Sequence, residues 1–327
     1  MKRGQDGQDA VKMSVVMLTY NHAPFIAQAI EGVLMQETNF PYELVIAEDC
    51  STDDTRAVIR KYSERYPERI RVLLNRQNIG GRRTHRRGYQ MCRGQYVASL
   101  DADDYWVSPH KLQRQADLLD AHPDYAMCFH PVKMVWEDDC REPTVFRPRV
   151  LKDSYTLEDL LEYNFIGACS PVYRKRDFGS YPPWFFVMPV GDWAIHVLHA
   201  LHGTVGYIDE PMGVYRQHGR GVYSVRGAVS RLRLAIEMLR RFRCGLGREH
   251  RRVVSRSLCR QYDKLVRQCY DDGHVSQARH AAWEGLREIG IGLHTPVLDM
   301  LKIAFRMLAP GVRRRHLPAV AELKSSW

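Results

Sequence analysis

Four short apolar runs, SVVMLTY (14–20), YELVIAED (42–49), IRVLL (70–74) and YVASLD (96–101), punctuate the first ~110 residues. This alternation constrains the fold more than any other feature of the chain. Runs this short, rich in β-branched residues, read as buried strands. The segments between them have helical spacing. From Pro24 to Gln36 the apolar positions are Phe25, Ile26, Ile30, Val33 and Leu34. Ser51 is placed to cap a helix that carries Asp53 and Asp54 in its first turn and runs to about Tyr66. Thr84–Cys92 and Pro109–Ala121 complete the series. Strand, helix, strand, helix predicts an α/β fold: a mostly parallel, Rossmann-like sheet with helices on both faces.

Such sheets bind ligands beyond the carboxyl ends of their strands. Polar and acidic residues stand at three of those ends: Thr19-Tyr20-Asn21, Glu48-Asp49 and Asp101-Ala102-Asp103-Asp104. A solvated turn would have to explain each of the three independently. A divalent cation explains the carboxylates together. Mg²⁺ or Mn²⁺ is hard, seeks oxygen, and is held by one or two carboxylates plus phosphate oxygens. An acid at the second strand end can accept hydrogen bonds from ribose hydroxyls or a base N–H. The loop after the first strand, YNHAPF, lacks the GxGxxG of a dinucleotide site, and no GxxxxGK[ST] is present.

Further along, YAMCFHPVKMVW (125–136) is strand-like, Thr156–Tyr163 is a helix with Thr156 as cap, and SPVYRK (170–175) is a short strand. Asp192–His202 is helical, and TVGYID and MGVYR are short strands. From Arg226 onward all periodicity is helical, broken at Gly245, Asp272-Gly273 and Pro310. We therefore expect a flexible N-terminus over 1–12, a catalytic domain over 13–224 and a basic, all-helical region over 225–327.

Charge supports that division. Residues 226–327 hold 21 Lys/Arg against 9 Asp/Glu, net +12, while the rest hold 27 against 29, net −2. A basic surface of this kind suits phosphates, anionic lipid headgroups or nucleic acid. HTPVLDMLKIAFRMLAPGVRRR (294–315) is apolar and then basic, as an interfacial helix on an anionic inner membrane would be; packing as a helical cap is the competing reading. The tail lacks the interleaved aromatics of a stacking surface, so no nucleic-acid partner is expected. The eight cysteines occur singly, without a CxxC pair, and read as reduced thiols. With mean hydropathy −0.41, no stretch of ~18–20 apolar residues and a polar start, MKRGQDGQDAVK, the expected location is cytoplasmic, with peripheral contact to the membrane's inner face.

Taken in order, "SVVMLTYNH", "VIAEDCSTDDT", "NIGG…GYQMCRGQYVASLDADDYW", "VGDWAIHVLHALHG" and "IDEPMGVYRQHGRGVYS" resemble the family 2 glycosyltransferases of the GT-A fold over roughly residues 13–224. The resemblance implies a nucleotide-sugar donor, a UDP-sugar foremost, a divalent metal (Mn²⁺ or Mg²⁺) and inversion at the anomeric carbon. It implies that Thr19, Tyr20 and Asn21 line the base pocket and that Glu48 and Asp49 contact base or ribose. Asn78, Arg83, Asp101 and Ala102 would complete the donor site. Asp103 would ligate the metal, with His218 of "YRQHG" beside it, and Asp192 of "VGDW" would be the catalytic base. Two departures stand out. Glu48-Asp49-Cys50-Ser51 replaces the usual DDGS, and His85-Arg86 replaces an Arg-Asn pair within a crowd of Arg82, Arg83, Arg86 and Arg87.

The acceptor would be a hydroxyl of a glycan or a lipid-linked sugar. Structural readings compete at several positions. Asp192 could cap the helix at Trp193, Asp49 could be a capping acid, Asp103 a turn residue and His218 a structural histidine. Glu210, in "IDEP", is a rival base, and Trp106 and Trp193 fit a core better than a sugar platform. His130, His196, His199 and His202 lack metal spacing. Two other function classes are a nucleotidyltransferase, which would want a Gly-rich loop where TYNHAPF stands, and a non-enzymatic binder of nucleic acid or anionic surfaces through the basic tail.

Overall fold

The computed structural model describes residues 10–137, 141–178, 181–219 and 226–289. In chain order the elements are β1 (Met13–Thr19), α1 (Ile26–Leu34), β2 (Tyr42–Glu48), α2 (Thr55–Arg65), β3 (Ile70–Leu74), α3 (Gly81–Met91), β4 (Tyr96–Asp101), β5 (Tyr105–Trp106) and α4 (Lys111–Ala121). There follow β6 (Tyr125–Phe129), β7 (Val132–Trp136), β8 (Thr144–Phe146), β9 (Ser154–Tyr155), α5 (Leu157–Glu162), β10 (Val172–Arg174), α6 (Pro183–Val187), α7 (Gly191–Ala200), β11 (Thr204–Tyr207) and β12 (Gly213–Gln217). The last are α8 (Ala228–Gly245), α9 (Arg251–Asp271) and α10 (Val275–Ile289).

An eight-stranded sheet runs β3-β2-β1-β4-β10-β6-β11-β9, and a four-stranded sheet runs β5-β12-β7-β8. The first four strands pair in parallel, while β10 runs antiparallel between β4 and β6. Strand alternation explains why helices cover both faces. Val15, Met17, Leu44, Ile46 and Leu100 pack on α1, α2 and α4, whereas Val16, Val45 and Val97 point the other way onto Tyr89 and Cys92. Each such side chain stabilises the fold by roughly 1.5–3 kcal/mol on full burial. The α3 face comes close: a Cβ on Gly88 would stand 2.9 Å from Ala47 Cβ and from Val16 Cγ2.

Several local expectations shift. The 125–136 segment is not one strand. It breaks at His130-Pro131, where the missing proline N–H cannot join a ladder, and β6 and β7 enter different sheets. Ser51 does not cap α2, which begins at Thr55 with Asp54 as N-cap. The Ser51 hydroxyl instead accepts the Asn21 N–H at 2.9 Å, and the Asp53 carboxylate accepts the Thr55 N–H at 3.0 Å. Thr156 does cap α5, reciprocally with Asp159. Lys12 N–H donates to the Pro41 carbonyl at 2.9 Å, tying this end of the N-terminal segment to β2. Trp106 and Trp193 are buried, with indole N–H groups bonded to the Cys169 and Leu160 carbonyls. The seven described cysteines are free thiols.

The chain divides into two compact units between Arg226 and Gly227. In the second, α8, α9 and α10 bury Leu239, Phe242, Leu258, Tyr262, Leu265 and Ala281. Arg240 donates to Tyr262, Glu284 and Glu288. The 294–315 segment lies outside the described residues, and no described helix is long and apolar enough to cross a membrane.

Candidate active site

The parallel strands β1, β2 and β4 end side by side, so their loops share one edge of the sheet. The loop after β1 turns at Asn21, whose φ of 56° is left-handed. Its side-chain oxygen accepts the Thr52 N–H at 2.8 Å, which locks the β1 and β2 loops together. Thr19 is buried beneath them and Tyr20 is exposed. His22 is carried inward, its Nε2 3.8 Å from Asp103 Oδ2.

At the end of β2 two buried acids have different partners. Glu48 accepts from the Ser51 N–H and, at 2.6 Å, from Arg56 Nε, so its carboxylate anchors its own loop. Asp49 accepts from Asn75 Nδ2, Ile79 N–H and Gly80 N–H, each at 2.9 Å. It thereby fixes the Asn78–Gly80 turn, where Gly80 needs a φ of 86°. Asn78 is exposed and its amide oxygen accepts from Gly80 N–H at 3.1 Å. Arg83 is exposed on α3, with no side-chain partner among the described residues.

The acidic turn after β4 is the electrostatic centre. Burial and the neighbouring charges of Asp103 and Asp192 push the Asp101 carboxyl up to about 8. Burial also raises Asp103, but its hydrogen bond from His218 and the charges of His22 and His218 outweigh this and hold it low. Asp103 Oδ2 stands 3.1 Å from His218 Nε2. Ala102 is wholly buried and donates its N–H to the Leu18 carbonyl. Asp104 turns inward, where burial and Asp103 raise it well above the carboxylate range, and its Oδ1 accepts the Arg216 N–H at 2.8 Å.

Asp192 enters from a different element. It sits in the first turn of α7, whose N-cap is Val190, so the capping reading fails. Burial raises its carboxyl, against hydrogen bonds from Trp193 N–H at 2.6 Å and Asn164 Nδ2 at 3.4 Å. Asp101 therefore lies within the field of both Asp103 and Asp192. Tyr215 faces the same group: burial and the charges of Asp104, Asp192, Asp103 and Asp101 all raise its hydroxyl. Glu210 does not join them, being ion-paired with Arg114. His130, His196 and His199 are buried and kept neutral by burial.

Arg216 was not among the residues expected here. Its Nε donates to the Asp103 carbonyl at 2.7 Å, Nη2 to Gln28 at 2.6 Å, and Nη1 pairs with Glu137. The guanidinium lies 5.0 Å from the Phe25 ring centre and 4.8 Å from that of Tyr105. It clamps the acidic turn. Its only signal in the sequence is its place two residues before His218. Asn164 carried no signal at all.

Asp103 Oδ2 with His218 Nε2 is a donor pair that suits a divalent cation. Among the described residues no group of three or more His, Cys, Asp or Glu is arranged to hold one alone. Such a pair would leave the remaining positions of a cation to phosphate oxygens and water.

The profile of Glycosyl transferase family 2 matches residues 14–181, just over half of the chain. Among curated proteins, the uncharacterized protein Rv1520 of Mycobacterium tuberculosis is 39% identical over 212 residues, 64% of this chain and 60% of its own length. The uncharacterized glycosyltransferase alr2836 of Nostoc is 30% identical over 219 residues, 64% of this chain and 66% of its own length. The chain thus spans under two thirds of either relative. Among solved structures, S. aureus TarS 1–349 in complex with UDP-GlcNAc superposes with a TM-score of 0.58 at 16% identity, covering 92% of this chain and 90% of that one. The mannosyltransferase PcManGT from Pyrobaculum calidifontis, in complex with GDP-Man and Mn²⁺, gives 0.56 at 15% identity, covering 92% and 88%. At these identities the likeness establishes the fold, which is of the GT-A kind. With the family profile spanning β1 to the segment before α6, the chain belongs to glycosyl transferase family 2.

Proposed function

We propose that the chain transfers a sugar from a nucleotide-sugar donor, a UDP-sugar foremost, to a hydroxyl of a glycan or lipid-linked acceptor, with inversion. One observation carries this reading. Asp103 pairs with His218 at 3.1 Å at the sheet edge where β1, β2 and β4 end together, the edge at which a sheet of this family takes its donor. The complexes named for TarS and PcManGT, with UDP-GlcNAc and with GDP-Man and Mn²⁺, support the donor class.

Thr19, Tyr20 and Asn21 present the base pocket, and Asp49 holds the Asn78–Gly80 turn that closes it. Glu48 acts through its loop. Asp103 and His218 would hold Mg²⁺ or Mn²⁺, which when bound neutralises charge on the departing nucleoside diphosphate. Asp101, on Ala102's buried turn, faces the ribose and sugar side. Asp192 accepts the proton of the acceptor hydroxyl as its oxygen bonds to the anomeric carbon and the bond to the diphosphate oxygen breaks. A carboxyl whose affinity for a proton is raised by burial is the stronger base. A single displacement opposite the leaving group inverts the configuration, through an oxocarbenium-like state. Nucleotide release from UDP-sugars with Mn²⁺, followed by NMR of the product's anomeric proton, tests the reading. Inversion that depends on Asp103 and Asp192 is expected; a retained configuration contradicts it.

A further inference from the structure

Asp192 and His196 stand four positions apart on α7 and so share one face of that helix. Both reach the same side chain, Asn164, on the segment between α5 and β10. Asn164 Nδ2 donates to Asp192 Oδ2 at 3.4 Å, and His196 Nδ1 lies 3.4 Å from Asn164 Oδ1. The backbone sets the direction of this relay. Ile166 N–H donates to Asn164 Oδ1 at 3.2 Å, so a turned amide would set one N–H against another. The amide oxygen therefore faces Ile166 and the amide nitrogen faces Asp192. With Oδ1 as acceptor, His196 Nδ1 must carry the proton. Burial pushes His196 down to about 3, so the ring is neutral and has that one N–H. Its Nε2 is buried without a hydrogen-bond partner among the described residues, a cost that an apolar ring would avoid.

The segment that carries Asn164 is held firmly. Phe165 and Ile166 are buried, and the Phe165 ring centre lies 4.8 Å from that of Tyr155 and 5.5 Å from that of Phe129. The Trp193 indole N–H donates to the Leu160 carbonyl at 2.9 Å, a second tie between α7 and the end of α5. Tyr173 stacks beside His196 with ring centres 6.2 Å apart. The Asp192 carboxylate needs such a frame. Trp193 N–H, from the next residue, holds Oδ1 at 2.6 Å. That bond alone leaves the carboxylate plane free to swing about Cβ–Cγ. Among the described residues Asn164 is the one side chain that donates to it. Asp101, Tyr173 and Tyr215 lie in the field of Asp192, and none of them can hold it by opposite charge.

We propose that Asn164 and His196 are positioning residues for the base: Asn164 fixes the plane of the Asp192 carboxylate, and His196 fixes the Asn164 amide. The proposal rests on the reading of Asp192 as base. A base works only within hydrogen-bond reach of the proton it takes, and a small misplacement costs a large factor in rate.

Two measurements on the whole chain test it. The first needs no substrate: the Asp192 carboxyl carbon is followed against pH by NMR in protein labelled with ¹³C-aspartate, and is assigned by its loss in Asp192→Asn. A hydrogen bond to a carboxylate favours the charged form, so in Asn164→Ala Asp192 should titrate at a pH higher by about 0.5 or more. The second is nucleotide release from UDP-sugars with Mn²⁺. Asn164→Ala should lower kcat by about tenfold with the donor KM unchanged. His196→Phe keeps the ring and the Ile166 bond, so it should fold as well as wild type or better, yet lower kcat in the same direction. His196→Asn, which sets an amide N–H near the place of Nδ1, should restore most of that loss. An unmoved Asp192 titration in Asn164→Ala overturns the proposal. So does wild-type kcat in both Asn164→Ala and His196→Phe, or a kcat loss in His196→Phe that comes with a lower melting temperature. A kcat within tenfold of wild type in Asp192→Asn would instead fail the base reading, and the proposal with it.

Discussion

Asp192→Asn separates chemistry from folding. The wild-type carboxylate is half-buried, accepts from Trp193 N–H and Asn164 Nδ2, and places its charge in the field at Asp101. Asparagine keeps an oxygen for the 2.6 Å bond from Trp193. It gives up the weaker 3.4 Å bond from Asn164, whose own oxygen is engaged by Ile166 N–H at 3.2 Å. It also removes a negative charge that acts on Asp101, so the melting temperature should hold or rise. What it cannot do is accept the acceptor's proton. General-base catalysis is worth about 10²–10⁴ in rate, or roughly 2.7–5.5 kcal/mol of barrier. Initial rates over a donor titration should therefore show kcat down by that factor with the donor KM nearly unchanged. In the wild type, kcat/KM should fall as pH drops through the raised pKa of Asp192, because protonation removes the base. That limb should be missing in the variant. A kcat within tenfold of wild type, or a kcat loss accompanied by a melting temperature several degrees lower, refutes the reasoning.

Arg216→Lys keeps the charge but loses the fork that grips the Asp103 carbonyl and Gln28; the Mn²⁺ concentration for half-maximal activity should rise about tenfold or more, and an unchanged requirement contradicts the clamp. Gly94→Ala would set its Cβ 2.5 Å from Ser14 N and 2.7 Å from the Met13 carbonyl carbon. Backbone cannot yield as a side chain does, so a loss on the order of 1–3 kcal/mol is expected, read as a lower urea midpoint; an equal midpoint contradicts the close packing of β1. With metal chelated, Asp101 binds its proton more tightly folded than unfolded, since its folded value is about 8. Its contribution to stability is thus lost as pH rises through that value. Asp101→Asn should flatten this limb of the stability–pH curve, and a curve parallel to wild type would show that other groups cause it.

Local pattern made β1 to β4 and their helices legible, because period-two and period-3.6 spacing need only neighbouring residues. The acids at the strand ends were legible for the same reason: parallel pairing of β1 with β2 and β4 brings Thr19, Glu48 and Asp101 to one edge whatever the side chains do. Arg216 was not legible as a clamp, because it reaches residues 79 to 188 positions away. Ser51 looked like a cap since Asp53 and Asp54 follow it, yet its hydroxyl accepts from Asn21 across the loop. The break at His130-Pro131 lay hidden in an apolar run whose two halves serve different sheets. Glu48 reads as a ligand contact in the sequence; Arg56, the second residue of α2, occupies it.

Thermal unfolding with UDP, GDP, dTDP and CMP, each with and without Mn²⁺, tests the central claim most directly. A ligand at a hundred times its Kd adds roughly 2.7 kcal/mol, a shift of about 5–10 °C for a domain of this size. One nucleoside diphosphate should stabilise the protein in a metal-dependent manner, and Asp103→Asn should abolish the effect. No shift with any of the four at millimolar concentration, or an equal shift without metal and in Asp103→Asn, would contradict it.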